Sequence, residues 1–382
     1  MKEIYKPSSK FNQDELHQQA LNEIAKQAEI CEAHPEEIRE SIKTLAKAGL
    51  LSIVLPGAPL DFNLGNTKAL LQILKDVGKA NLSVGRIFEG HINALHLIHL
   101  YANQDQKRIW FEEVRTKNFL FAVWNTQESD GIHFIPTGQG FELRGSKSFC
   151  SGAGVVNRAI VTGNIDTQER NGWQMAVLPM ANLNQHKIDK NSWQPLGMKA
   201  SCSYKVDFSA YPVSAEDLLS SPGIYLKQPY FSAGAIRFAA VQLGGAEAIA
   251  ADTLSFLKNL SRTADPIQRL RLSSISTQLI SGRLWISRAG EEFDKLHGQS
   301  EHGAALVTLA NMARVMVEEI CLLIIQDSNK CVGARGLMRP GSLERLHRDL
   351  TFYLRQPAPD LTRLNISDFF INNEDEFERF GI

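Results

Sequence analysis

Asn118-Phe-Leu-Phe-Ala-Val-Trp124 is where this 382-residue chain changes character. Upstream, apolar residues recur every three or four positions; here they run without interruption, and the residues that follow space Gly, Ser, Thr and Val as short strands and turns. Candidate strands are 119–124, 141–149, 158–163, 173–179, 186–189 and 204–208, separated by turn residues such as Asn164, Asn171, Gly172 and Gly197. Strands so short and so punctuated fit a small antiparallel sandwich or barrel better than a wound parallel sheet.

On the upstream side, Ile38, Ile42 and Leu45 share one helical face, as do Leu70, Leu74 and Val77. Residues 92–101 are largely apolar, and a charged amphipathic helix over 104–116 follows Asn103 as N-cap. Downstream of Tyr230 three long stripes return to the helical period: Ile236 to Leu257, Leu272 to Leu296 and, after a break at 298–303, Leu306 to Leu323. A Gly, Arg and Pro loop is expected over 333–341, with Ser342 capping a short helix that Pro357 and Pro359 end before an irregular acidic tail. The chain therefore reads as a multi-domain α+β protein, with an N-terminal helical domain (1–117), a central antiparallel β-sandwich or barrel (118–227) and a C-terminal four-helix-type bundle with a tail (228–382).

Composition narrows the function. With 41 Lys and Arg against 42 Asp and Glu, there is no global positive field for nucleic acid. The polar first twenty-two residues do not form a signal peptide, and Arg237, Gln242 and Glu247 interrupt the one tempting membrane stretch, 232–251. Five cysteines, Cys31, Cys150, Cys202, Cys321 and Cys331, contain no CxxC pair and signal neither disulfides nor zinc, so a cytoplasmic location is expected. No Walker loop, GxSxG, HExxH or dinucleotide fingerprint occurs. His96 and His99 share a helical face without a carboxylate at ligand spacing, so no metal is expected.

Four strings, in this order, resemble the acyl-CoA dehydrogenase superfamily over nearly the whole chain. They are Gly140-Phe-Glu-Leu-Arg-Gly-Ser-Lys-Ser-Phe-Cys-Ser-Gly152; Pro195-Leu-Gly-Met-Lys-Ala-Ser-Cys-Ser203 before Val206-Asp-Phe208; Arg262 with Asp265-Pro-Ile267; and Gly333-Ala-Arg-Gly-Leu337 leading to Glu344-Arg-Leu-His-Arg-Asp349. The resemblance implies FAD, with FMN or a diffusible reduced flavin as the alternative. Trp124, Asn125, Thr126, Cys150 and Ser151 would lie against the flavin ring, while Arg262 and the amides around Gly333, Ala334 and Gly336 would hold the pyrophosphate end. Because that loop reaches a neighbouring subunit in the family, a homotetramer, or at least a dimer, is implied. Trp124 and Phe149 also admit a plainer reading as aromatics of the sheet core.

Such enzymes remove a substrate α-proton with a carboxylate while hydride passes to the flavin. The usual place for that carboxylate, eight residues after Asp349, holds Pro357, and the family's other place falls at Gly234 and Ala235. Either Asp360 takes over as base, or the reaction needs none, as in the related flavin monooxygenases that use O2 and reduced flavin from a separate reductase. In that branch Gln356 would orient flavin or substrate without acting as a base. His91 would face the pocket because its helix lines the pocket in the family; the alternative is a surface position. Arg355 would meet an acidic substrate, or serve as a helix-end cation. The expected function is an FAD-dependent oxidoreductase acting on an acyl-CoA or carrier-bound acyl group and passing electrons to an acceptor. The alternatives are the monooxygenase and a non-catalytic flavin-binding scaffold.

Overall fold

The computed structural model describes residues 9–375 except 185–186, 297–298, 300–301 and 356, with side chains from residue 13. Among the described residues five α-helices come first: α1 (Ser9–Ala33), α2 (Ile38–Lys47), α3 (Thr67–Ala80), α4 (Leu82–Tyr101) and α5 (Gln104–Lys117). The stripe residues Ile38, Ile42, Leu45, Leu70, Leu74 and Val77 are all buried, which is why the helical period was readable. Asn103 caps α5 reciprocally with Gln106, and Asn118 closes the helix in a left-handed conformation.

Ten strands follow among the described residues: β1 (Phe121–Trp124), β2 (His133–Thr137), β3 (Gly140–Arg144), β4 (Ser146–Cys150), β5 (Arg158–Asp166), β6 (Asn171–Pro179), β7 (Ile188–Asp189), β8 (Tyr204–Asp207), β9 (Tyr211–Val213) and β10 (Leu218–Leu219). Seven make one sheet, in the order β10-β6-β5-β2-β3-β9 with β1 joined to β5, and β4-β8-β7 make a second. Most ladders are antiparallel as expected, but β1 and β2 each run parallel to β5. The expected strand 141–149 is in fact two strands broken at Gly145, where φ is 113°. His186, expected to open a strand, lies outside the described residues. β2, β9 and β10 gave no sequence signal, because β2 and β9 carry Pro136 and Pro212, β2 is largely exposed and β10 has only two residues.

The chain then forms α6 (Tyr230–Ala233), α7 (Ala235–Asn259), α8 (Pro266–Leu296), α9 (Gly303–Gly336), α10 (Ser342–Tyr353) and α11 (Pro359–Asn372). Three expectations need correction. Helix α9 continues to Gly336, past the residue expected to begin a loop, with a single break at Gly333. Ser342 is the first residue of α10 and not its cap, and its hydroxyl donates to Asp252. Helix α11 replaces the irregular tail: Pro359 begins a helix, since a proline at the first helical position lacks only an N–H that would have no partner there.

The layers interlock at close approaches. A side chain at Gly244 would strike the Lys75 carbonyl, so α3 packs backbone to backbone on α7, and the crossing encloses Glu247 between Lys75 (2.7 Å) and Arg283 (2.8 Å). Two of the strings singled out in the sequence also meet. Asp349 accepts the Met198 amide at 2.6 Å, Arg348 donates to the Leu196 carbonyl at 3.2 Å, and Gly197 lies so close to the Arg348 backbone that no Cβ fits. Burial raises the Asp349 carboxyl to about 6. Among the described residues no helix is long and apolar enough to cross a membrane, and all five cysteines are buried free thiols.

Candidate active site

A cavity of about 620 Å³ opens where the end of β1, α4, the start of α7, α9 and the approach to α11 converge. The sheet contributes Val123, Asn125, Thr126 and Phe149; α4 contributes Arg86, Glu89, Gly90 and Asn93; and the helices beyond contribute Arg237, Phe238, Asn311, Arg314 and Pro357. Residues 86, 89, 90 and 93 share one face by helical spacing, and Asn81 fixes that helix by accepting the Ser83 amide at 2.9 Å.

Behind the sheet wall lies a fully satisfied polar knot. The Lys147 ammonium donates to the Asn125 carbonyl (2.9 Å), Gln127 (2.8 Å) and Thr162 (3.1 Å), and lies 4.8 Å from the centre of the Trp173 ring. The Asn125 carboxamide oxygen accepts from Thr162 (2.8 Å) and Trp173 (3.0 Å), which locks the strand end. Burial pulls Lys147 down to about 7. Phe149, by contrast, is 54% exposed and sits at φ 55°, a region an aromatic residue rarely occupies; the left-handed step turns its ring out of the sheet towards the cavity and against Trp193.

The helical wall is a chain of charges. Arg86 donates to Glu89, Asn93 donates to the other Glu89 oxygen, and the Arg237 Nε–H donates to Asn93. Arg314 donates to the Pro357 carbonyl (2.6 Å) and to the Thr362 hydroxyl on α11 (3.1 Å), and lies 5.6 Å from the Phe238 ring. Burial lowers Arg237 to about 10 and also lowers Arg314. Glu89 is the one carboxylate among the described lining residues, and both of its oxygens are occupied.

Of the residues expected at a flavin ring, Asn125 and Thr126 line the cavity. Trp124 is buried against Phe208 and donates to the Ser151 carbonyl at 3.0 Å. Cys150 is fully buried with its thiol directed to the Lys147 carbonyl, and Ser151 joins a hydroxyl chain to Ser203 (2.9 Å) and on to Ser201. His91 is neither in the pocket nor on the surface: Nε2 bonds the Leu51 carbonyl (2.8 Å), Nδ1 accepts the Phe121 amide (2.9 Å), and burial lowers it to about 4. Asp360 is exposed in the first turn of α11 and does not line the cavity, and Gln356 lies outside the described residues. Arg355 pairs with Glu318 at 2.6 Å. Arg262 is exposed beside Asp265 beyond the far end of α7, roughly 37 Å along that helix from its start, and Gly333, Ala334 and Gly336 share that end, with Gly336 packed near Phe256. The sequence reading missed Arg86, Glu89, Arg237 and Arg314. A signal existed in Arg86, Glu89 and Asn93, polar residues spaced by three and four along one face of α4.

Residues 236–354 match the family model for the acyl-CoA dehydrogenase C-terminal domain. The chain is 25% identical over 357 residues to a probable FMNH2-dependent monooxygenase, SfnC, of Pseudomonas putida, covering 86% of this chain and 87% of that protein. It is 23% identical over 192 residues to a dibenzothiophene monooxygenase of Rhodococcus erythropolis; that match takes in 48% of this chain and spans about half the length (45%) of the relative. FMN-bound TdsC from Paenibacillus sp. A11-2 shares the fold, with a TM-score of 0.82 at 17% identity over 93% of this chain and 97% of that one. The order of helices, sheets and helices and the matched C-terminal region agree with the resemblance carried by the four strings read from the sequence: residues 236–354 form an acyl-CoA dehydrogenase C-terminal domain.

Proposed function

We propose that this chain is a flavin-dependent oxidoreductase that works as a monooxygenase, taking reduced flavin from a separate reductase and O2, and not as an acyl thioester dehydrogenase. The observation that carries this reading is the missing base. Proton abstraction needs a carboxylate free to turn onto the substrate α-carbon, and Glu89, the cavity's one carboxylate among the described residues, is tied to the helical wall through both oxygens by Arg86 and Asn93. The names of the relatives SfnC and dibenzothiophene monooxygenase point the same way.

The residues present fit a flavin. The cavity has the volume of a cofactor site, Phe149 offers an exposed aromatic ring, and the exposed Thr126 hydroxyl makes no hydrogen bond with the described residues. Bound reduced flavin would supply two electrons to O2, one oxygen atom passing to the substrate and the other leaving as water. Phe149 and Val123 would shield the ring from water, and the Lys147 knot would hold Asn125 and Thr126 in register with it. We favour FMN, because Arg262, Gly333, Ala334 and Gly336 are remote from this cavity and would reach a flavin only from a neighbouring copy. A homotetramer would use the face of α8 that leaves Ile267, Leu270, Ile280 and Leu284 exposed, in a cytoplasmic protein with a small-molecule substrate.

Anaerobic titration with reduced and oxidised FMN, followed by admission of O2, tests the reading. Tighter binding of the reduced form and a reoxidation time course changed by the protein are expected; failure to bind flavin in either state would leave only the non-catalytic scaffold.

A further inference from the structure

We infer that Arg237 is an anion-binding residue, and that the substrate of this cavity is a small organic acid whose oxyanion, a carboxylate or a sulfonate-type group, seats on the Arg237 guanidinium. This rests on the monooxygenase reading and adds the substrate class.

Three arginines and one glutamate line the cavity. Arg86 is engaged by Glu89, and Arg314 by the Pro357 carbonyl, the Thr362 hydroxyl and the Phe238 ring. Arg237 is different. It is 5% exposed, yet its one side-chain hydrogen bond among the described residues is from Nε to neutral Asn93, and no described carboxylate lies within ion-pair distance; Glu89, on the far side of Asn93, acts on it only at longer range. Nη1 and Nη2 therefore have no acceptor among the described residues, on a side chain that lines the cavity. A buried guanidinium in that state is costly unless an anion completes it, and its planar fork of donors matches two oxygens of one acid. The backbone makes room for it: a Cβ at Gly234 would lie 2.9 Å from Nη2. Among the described lining residues three arginines face one glutamate, and a wall with that surplus of positive charge selects a negatively charged ligand.

An oxyanion on Arg237 could come from the substrate or from the phosphate of the flavin, and the test separates them. Calorimetric titration with benzoate and methanesulfonate, and with their neutral counterparts benzamide and methanesulfonamide, is run on the wild-type chain with and without FMN. It is repeated on Arg237→Gln and Arg237→Lys, and each protein is also titrated with FMN and with riboflavin. The acids are expected to bind the wild type and the amides not, with affinity falling about tenfold or more in Arg237→Gln, the loss of a charged hydrogen bond, and less in Arg237→Lys; FMN affinity is expected to hold. Gly234→Ala, which crowds Nη2 without altering any charge, is expected to weaken the acids as well and serves if Arg237→Gln does not fold. Equal binding of acids to wild type and variants, or no binding to the wild type, overturns the inference. So does a loss confined to FMN and spared in riboflavin, which would assign Arg237 to the flavin phosphate. Absence of flavin binding with acid binding intact would sink the monooxygenase reading and leave the anion site standing.

Discussion

Lys147 and Arg237 are both cations withdrawn from water, one behind the sheet wall of the cavity and one in its helical wall, and the fold treats them in opposite ways. Lys147 meets three oxygen acceptors and an aromatic face, and it reaches no ligand. Arg237 meets one neutral acceptor and lines the cavity. Burial lowers both, Lys147 to about 7 and Arg237 to about 10, so burial alone does not tell them apart. The count of satisfied donors does: a completed set marks a strut, whereas an incomplete set beside a void marks a place for a ligand.

The largest expected effect breaks the strut. Lys147→Met leaves Asn125, Gln127 and Thr162 without their shared donor, and chemical denaturation should show a loss of about 4 kcal/mol, some 1–3 for each orphaned group with partial relief by solvent. Arg237→Gln should change stability by less than about 1 kcal/mol in the same assay, because it removes a buried charge that the fold compensates only at longer range, through Glu89. Equal losses would erase the distinction.

Asp349 sharpens the comparison as a buried anion. It is structurally engaged, through the Met198 amide, yet burial raises it from 3.8 to about 6. A carboxyl raised in the folded state contributes stability that is complete below its unfolded value and is lost as pH rises through about 6. Relative to Asp349→Asn, the wild type should therefore lose about 1.4 kcal/mol between pH 5 and pH 8, measured by denaturation at each pH. A flat difference would mean that the carboxylate is fully compensated.

Smallest of all, Asp360→Ala should leave flavin binding and turnover unchanged, since the residue is exposed and off the cavity. Loss of turnover with flavin still bound would restore Asp360 as a base and the dehydrogenase with it.

The elements were legible where one face is buried at a fixed period, as in Ile236, Ala239, Leu243 and Ala246 of α7, all in the core. They were illegible where one residue type serves opposite ends: Pro359 reads as a stop and acts as a start. Of the strand-end residues named from the sequence, Asn125 and Thr126 line the cavity, whereas Trp124, Cys150 and Ser151 do not. Period-two reasoning fails at β4, where three successive residues are buried and a left-handed Phe149 turns outward. Arg237 was visible only as an interruption of an apolar helix. Its role depends on α4, α7, α9 and α11 converging from positions 86 to 357, which no local pattern encodes.

The account stands on a cavity whose one carboxylate among the described residues, Glu89, is tied to the wall by Arg86 and Asn93, and the visible spectrum of the flavin-loaded chain during anaerobic addition of a panel of acyl-CoA thioesters tests that most directly. The account predicts that the oxidised flavin keeps its colour with every thioester. Bleaching by any of them would show that an α-proton and a hydride leave the substrate in this cavity, and would contradict it.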